Sequence, residues 1–423
     1  MRLRPALNIS YVILLLALLL GSGYETAVAE SSVIDVSVEY TFGGQMTFKA
    51  LVQSGSPVSE ALVSFRPEGE SDTVVGTASV DPEGRLIFTY DLTMRPLRAF
   101  SQVDYWFTIS FQDGQHFTSP TFVFRYMDNR FTWQTLDEGR FHVSWYDGDL
   151  AFAQTVLDVA KEGLDHALSL LTLKVPDDIY IYAYASPSEL QATLRLAGQD
   201  WVAGHADPDL HLMVVSLPPG PDRRLEMERQ IPHELMHILL YQTLDRGYNN
   251  LPTWLNEGLS SLVQLYPMPE YQVILENAIQ KEALIPISSL CQNFPVDASS
   301  TYLSYAESTS FTRYLYRRFG KTGLDSLVAA YSNGVDCNRG AETALGESLL
   351  RLEDQWLKES FNANPALQSI ETLLPWFVLL FVVLVVPLAL SAWSMLARKP
   401  GGAAGQSFDA GARATVEKPV LRG

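Results

Sequence analysis

The stretch Gln230-Ile231-Pro232-His233-Glu234-Leu235-Met236-His237 constrains this chain more than any other. On a helix, positions four apart lie on one face about one turn apart, so His233 and His237 can offer two imidazoles to a single ion from a rigid support. Glu234 follows the first histidine and lies beside that face, where a carboxylate can accept a proton. Nineteen residues separate His237 from Glu257, which lies in Leu255-Asn256-Glu257-Gly258 and offers a third donor from a second helix. Any fold adopted by the chain therefore has to bring two helices together at these positions.

Two histidines on a surface helix can mean nothing, and Glu257 is what argues against that reading. A histidine six residues after His237 would be the other common completion, but Thr243 stands there. His233-Glu234-x-x-His237 is the helical pattern of zinc hydrolases. A catalytic Zn²⁺ takes three protein ligands and leaves a fourth position for water. The expected cofactor is Zn²⁺, with His233, His237 and Glu257 as metal ligands and Glu234 as the catalytic base.

The two motifs together resemble the gluzincins, the zinc peptidases with a glutamate third ligand. They look most like the peptidase MA-like domains and the membrane alanyl aminopeptidases. The spacing to Glu257 is one residue longer than in those aminopeptidases and equals that of thermolysin-like enzymes. The resemblance covers about residues 130–360. Downstream, Tyr305-Ala306-Glu307-Ser308-Thr309-Ser310-Phe311 is similar to the aminopeptidase segment whose leading tyrosine stabilises the tetrahedral intermediate. Carried over, that role falls on Tyr305, with Tyr302 as a rival and a packing role as the plain alternative. The Gly-x-Met-Glu-Asn segment that binds a free amino terminus is absent, so the resemblance implies an endopeptidase more than an aminopeptidase. Peptidases of this kind hold an extended peptide against a strand edge. Residues 210–215 are the expected edge, or equally a core strand.

The ends of the chain carry different signals. Residues 1–29 have a basic start, an apolar run over 11–20 and Ala27-Val28-Ala29, and they read as a secretory signal peptide. Residues 372–397, charge-free from Leu373 and followed by Arg398-Lys399, read as one transmembrane helix with a disordered cytoplasmic tail at 398–423. The expected location is the cell membrane, single-pass, with an extracellular or periplasmic ectodomain. Residues 1–29 carry +1 and residues 398–423 carry +3 of the net −18, which leaves −22 between them. Such a surface excludes nucleic acid as a partner. The two cysteines, Cys291 and Cys337, are expected to form a disulfide in an oxidising compartment; a pair of metal ligands is the alternative.

Residues 30–127 alternate apolar and polar in seven short runs, at 33–40, 46–52, 61–65, 73–80, 86–92, 103–111 and 121–126. That predicts an all-β immunoglobulin-like sandwich acting as a spacer or docking surface. Residues 128–365 predict an α+β zinc peptidase domain: a strand pair at 131–136 and 140–145, a helix at 151–171, strands at 179–184 and 210–215, and a mostly helical lobe beyond Trp254. Pro232 implies that the histidine helix begins near it or kinks there. Helices are expected near 254–265, 270–283, 300–318, 322–332 and 346–361. The function that follows is a membrane-anchored, extracytoplasmic zinc-dependent peptidase acting on a peptide or protein substrate. The alternative is an inactive zinc-binding scaffold or a cell-surface binding module.

Overall fold

A computed structural model of the chain describes residues 31–196, 204–361 and 365–396. Its first part is a set of strands: β1 (Ser32–Tyr40), β2 (Gln45–Gln53), β3 (Val58–Pro67), β4 (Val74–Thr77), β5 (Ser79–Val80), β6 (Arg85–Asp91), β7 (Gln102–Phe111), β8 (His116–Thr118) and β9 (Phe122–Arg125). Successive side chains of a strand point to opposite faces, and β7 alternates half-buried and buried residues along its whole length. The strands form two antiparallel sheets, ordered β1-β2-β6-β5 and β4-β3-β7-β8, with β9 also paired to β7. The sheets face each other through Phe48 of β2 and Phe65 of β3, whose ring centroids are 5.2 Å apart. The single strand expected at 73–80 is two. β4 pairs with β3 and β5 with β6, so the chain crosses between the sheets at buried Ala78.

The next part alternates strands and helices. β10 (Gln134–Glu138) and β11 (Phe141–Trp145) form a hairpin, followed by α1 (Leu150–Leu170), β12 (Ile179–Tyr184), α2 (Pro187–Leu196), β13 (Gly204–Asp207) and β14 (Leu212–Ser216). The sheet order is β10-β11-β12-β14-β13, with β11, β12 and β14 parallel and the two outer strands antiparallel. Of the two readings open for 210–215, an edge or a core strand, the core strand is the one observed. β14 is hydrogen-bonded on both sides and every residue of it is buried, so the edge belongs to β13.

The two sheet systems share one core. Phe100 stacks on Tyr182 of β12 with centroids 3.6 Å apart. Fully buried Asp128 receives Arg130, the Tyr184 hydroxyl and the Thr193 hydroxyl on its carboxylate, and its carbonyl accepts the Trp133 indole N–H. A buried carboxylate is tolerable only when paired and hydrogen-bonded in this way.

The rest of the chain is helical: α3 (Arg223–Leu244), α4 (Thr253–Leu262), α5 (Pro269–Gln280), α6 (Ala298–Ser332), α7 (Cys337–Leu345), α8 (Leu349–Phe361) and α9 (Pro365–Leu396). α6 is interrupted at Gly320, which has φ 64°. The expected disulfide is present, joining Cys291 to Cys337 at the start of α7.

The transmembrane expectation is not upheld. Among the described residues no helix is long and apolar enough to cross a membrane. The membrane partner and the single-pass location with an outward-facing ectodomain rested on that span and fall with it. The signal peptide expected at 1–29 and the tail expected at 398–423 lie outside the described residues.

Candidate metal centre

α3 carries the first two donors, and it does so with a proline inside it. The helix runs from Arg223 through Pro232 to Leu244, so it does not start at the proline. A mid-helix proline removes the bond to the carbonyl four residues back. That carbonyl, on Glu228, is satisfied from outside by the Leu265 N–H at 2.9 Å. The pyrrolidine ring needs space, and α1 gives it at Gly163, where a Cβ would lie 3.0 Å from the ring. The proline thus links the histidine helix to α1 and to the segment after α4.

α4 brings the third donor. Gly258, next to Glu257, is where α4 meets α6: a Cβ there would lie 2.1 Å from the Thr312 hydroxyl and 2.6 Å from the Ser308 carbonyl. Only glycine allows that approach. Glu257 is thereby held over α3, with its Oε2 3.3 Å from His233 Nε2 and 3.9 Å from His237 Nε2. One donor atom from each of His233, His237 and Glu257 lies within 4.8 Å of the others.

The chemistry of this donor set fits a metal ion. His237 Nδ1 lies 3.2 Å from Asn256 Oδ1, 3.2 Å from the Tyr248 hydroxyl and 3.3 Å from Ser260 Oγ. An Nδ1–H donated to Asn256 leaves the Nε2 lone pair facing Glu257, the orientation that a hydrogen bond behind a metal-bound imidazole normally fixes. Glu257 Oε2 and His233 Nδ1 are buried with no hydrogen-bond partner among the described residues. Leaving a buried carboxylate oxygen unsatisfied is costly, and a cation between the three side chains would remove that cost.

The electrostatics are reciprocal. Burial drives the His233 pKa down, but the Glu257 carboxylate 3.3 Å from its Nε2 and the charge of Glu234 outweigh it and leave it raised. Burial drives the Glu257 pKa up, but His237 and His233 outweigh it and leave it lowered. Glu234 is buried on the same helix, with 7% of its surface exposed. Tyr305 lies against the Glu257 carboxylate, with its ring centroid 6.5 Å from that of His233. Burial and then the charges of Glu257 and Glu234 raise its pKa, so its hydroxyl stays protonated and able to donate. Tyr302 is 55% exposed.

Sequence reasoning missed four neighbours. Asn256, Tyr248 and Ser260 support His237 from behind. His205 of β13 feels the charge of Glu234 and lies 3.4 Å from Asp207. Asn256 adjoins the glutamate ligand and could have been suspected; nothing in the short polar run of β13 marks His205.

Residues 159–362 match the family model of the Peptidase MA superfamily. The match supports a peptidase MA-type domain over the residues that carry the cluster. No curated protein matches the chain. Solved structures resemble it only locally. A carbohydrate-binding module of family 56, a β-1,3-glucan binding domain, is 15% identical over 22% of this chain and 99% of its own, with a TM-score of 0.17. A structure described as a myokine is 10% identical over 23% and 96%, with a TM-score of 0.19. OgpA from Akkermansia muciniphila is 17% identical over 24% and 30%, with a TM-score of 0.20. At those scores the likenesses carry no argument.

Proposed function

We propose that this chain is a zinc-dependent peptidase with His233, His237 and Glu257 as metal ligands and Glu234 as general base. The observation that carries the reading is the meeting of this His₂Glu set with a carboxylate on the same helix that the ligand set does not need. When bound, the ion would polarise the scissile carbonyl and lower the pKa of a water toward 7. Glu234, buried and adjacent to His233, takes the proton from the attacking water and returns it to the leaving amine. The protonated Tyr305 hydroxyl donates a hydrogen bond to the developing oxyanion. The outer side of β13, unpaired among the described residues, would pair with an extended peptide as an added strand.

The test uses the purified full chain. Elemental analysis should find about one zinc per chain in the wild type and a marked loss in His237→Ala; full retention would move the metal site elsewhere. Glu234→Gln should keep its zinc and its fold. Its hydrolysis of a broad peptide library should fall by at least about 10²-fold, the usual size of general-base catalysis. Unchanged turnover would overturn the mechanism, and a zinc-loaded wild type that cleaves nothing would overturn the peptidase reading.

A further inference from the structure

Between α5 and α6 lies a cavity of about 350 Å³. Tyr266, Met268 and Tyr271 form one wall, and Thr309 and Arg313 line the α6 side. This volume is at the small end of ligand pockets and suits one or two residues of a peptide. The cavity adjoins the metal centre. Ala306, next to Tyr305 on α6, is part of its lining, and Tyr271 lies in the electrostatic field of Glu257.

Arg313 is the unexplained group in this cavity. It is partly buried, and among the described residues no carboxylate, carbonyl or hydroxyl is bonded to it. Burial and the charge of Arg317 hold its pKa below the usual guanidinium value. The chain has 48 acidic side chains against 30 basic ones, so a cation left without an acid is not for want of partners. By contrast Arg98, Arg130, Arg229 and Arg318 each hold a carboxylate. Withdrawing a guanidinium from water without a counter-ion is costly, and an incoming anion would offset that cost. The guanidinium fork matches a carboxylate with two parallel hydrogen bonds.

We propose that this cavity is a specificity pocket that receives a carboxylate of the bound peptide, with Arg313 as its counter-ion and Tyr266, Met268 and Tyr271 against the apolar part of the residue. The proposal rests on the peptidase reading and names the substrate feature selected beside that centre. The carboxylate is either an acidic side chain or the peptide's C-terminus.

The experiment measures binding apart from turnover. Full-length protein carrying Glu234→Gln is titrated by fluorescence anisotropy against labelled neutral peptides in which one glutamate, or the matching glutamine, is moved along the sequence. The same peptides are compared with free and amidated C-termini. At least one acid should bind roughly tenfold tighter than its neutral counterpart, the size expected of a charged hydrogen-bonded pair. A glutamate–glutamine difference assigns the side chain, and an acid–amide difference assigns the terminus. The preference should vanish in Arg313→Gln with the melting temperature unchanged. In Arg313→Lys, which keeps the charge without the fork, it should weaken several-fold, and that variant carries the test if Arg313→Gln does not fold. Equal affinity for every pair, no binding of any peptide, or a preference that survives Arg313→Gln overturns the proposal. Wild-type cleavage of the same peptides separates the two readings. Cleavage without acid preference sinks the pocket alone, and an Arg313-dependent preference without cleavage sinks the peptidase alone.

Discussion

Glu307→Gln should make the protein more stable as the pH rises, because the native Glu307 is a carboxylic acid held where a carboxylate is unwelcome. The side chain is fully buried on α6. One carboxyl oxygen accepts the Ile285 N–H at 3.0 Å, and the other has no partner among the described residues. Burial, opposed by that hydrogen bond and reinforced by the charge of Glu353 on α8, pushes its pKa from 4.5 to about 8. A folded-state pKa above the unfolded one gives stability that is fully present below about pH 4.5 and is lost as the pH rises through about 8. At about 1.36 kcal/mol per pKa unit the loss has an upper bound of about 5 kcal/mol, and water entry at high pH reduces it to roughly 2–4 kcal/mol. Glutamine keeps the acceptor for Ile285 and cannot ionise. Urea unfolding followed by tryptophan fluorescence should therefore give matching midpoints for the two proteins near pH 5 and a widening advantage for Glu307→Gln up to pH 8.5. His142, His205 and His233, whose pKa values are also raised, titrate in both proteins and cancel in the difference. A difference that stays constant across this range would refute the reasoning.

Tyr305→Phe should keep full zinc and lose roughly 10²-fold in kcat with little change in KM, since an oxyanion contact strengthens only in the transition state; steady-state kinetics check this, and unchanged kcat would pass the role to another donor. Gly258→Ala should lower stability by about 1–3 kcal/mol through overpacking against Thr312 and Ser308 and should reduce zinc content by displacing Glu257, read by thermal melting and elemental analysis. Cys337→Ser opens a disulfide between positions 46 residues apart, and in the chain-entropy model it should cost roughly 4 kcal/mol, read as a lower urea midpoint.

The parts of this protein that are local in sequence were legible in it. The alternation of β2 and β7, the helical spacing of apolar residues in α1 and the four-residue repeat of the histidines are all written within a turn or a strand. What escaped depends on distant partners. β13 is four residues, Gly204–Asp207, too short to show a period, so 210–215 could be read as an edge or as a core strand and nothing pointed to β13. Pro232 reads as a helix start or a kink because its rescue comes from Leu265 and Gly163, far along the chain. α7 was missed because its nine residues are held by Asp336 at one end and Gly346 at the other, more than by an apolar repeat. At the metal centre the three donors were found from spacing, whereas Tyr248 and His205 were not, because neither belongs to the motif that carries the donors.

The role expected for the N-terminal sheets, a spacer or a docking surface, leaves out their most specific contact. Arg98, from the segment before β7, makes two hydrogen bonds to the Asp209 carboxylate at 2.8 and 2.9 Å and lies 3.6 Å from Asp207. Asp207 ends β13 and lies 3.4 Å from the His205 imidazole, which in turn feels the charge of Glu234. A short polar edge strand has little of its own to hold it, since among the described residues it pairs on one side only and has almost no apolar side chains to bury. A planar, two-pronged ion pair at its end supplies the orientation that packing cannot. Phe100, two residues after Arg98, is stacked on Tyr182 of β12, so the arginine is anchored to the sheet it braces. The β-sheet part is thus structurally continuous with the wall of the metal centre that an extended peptide would meet.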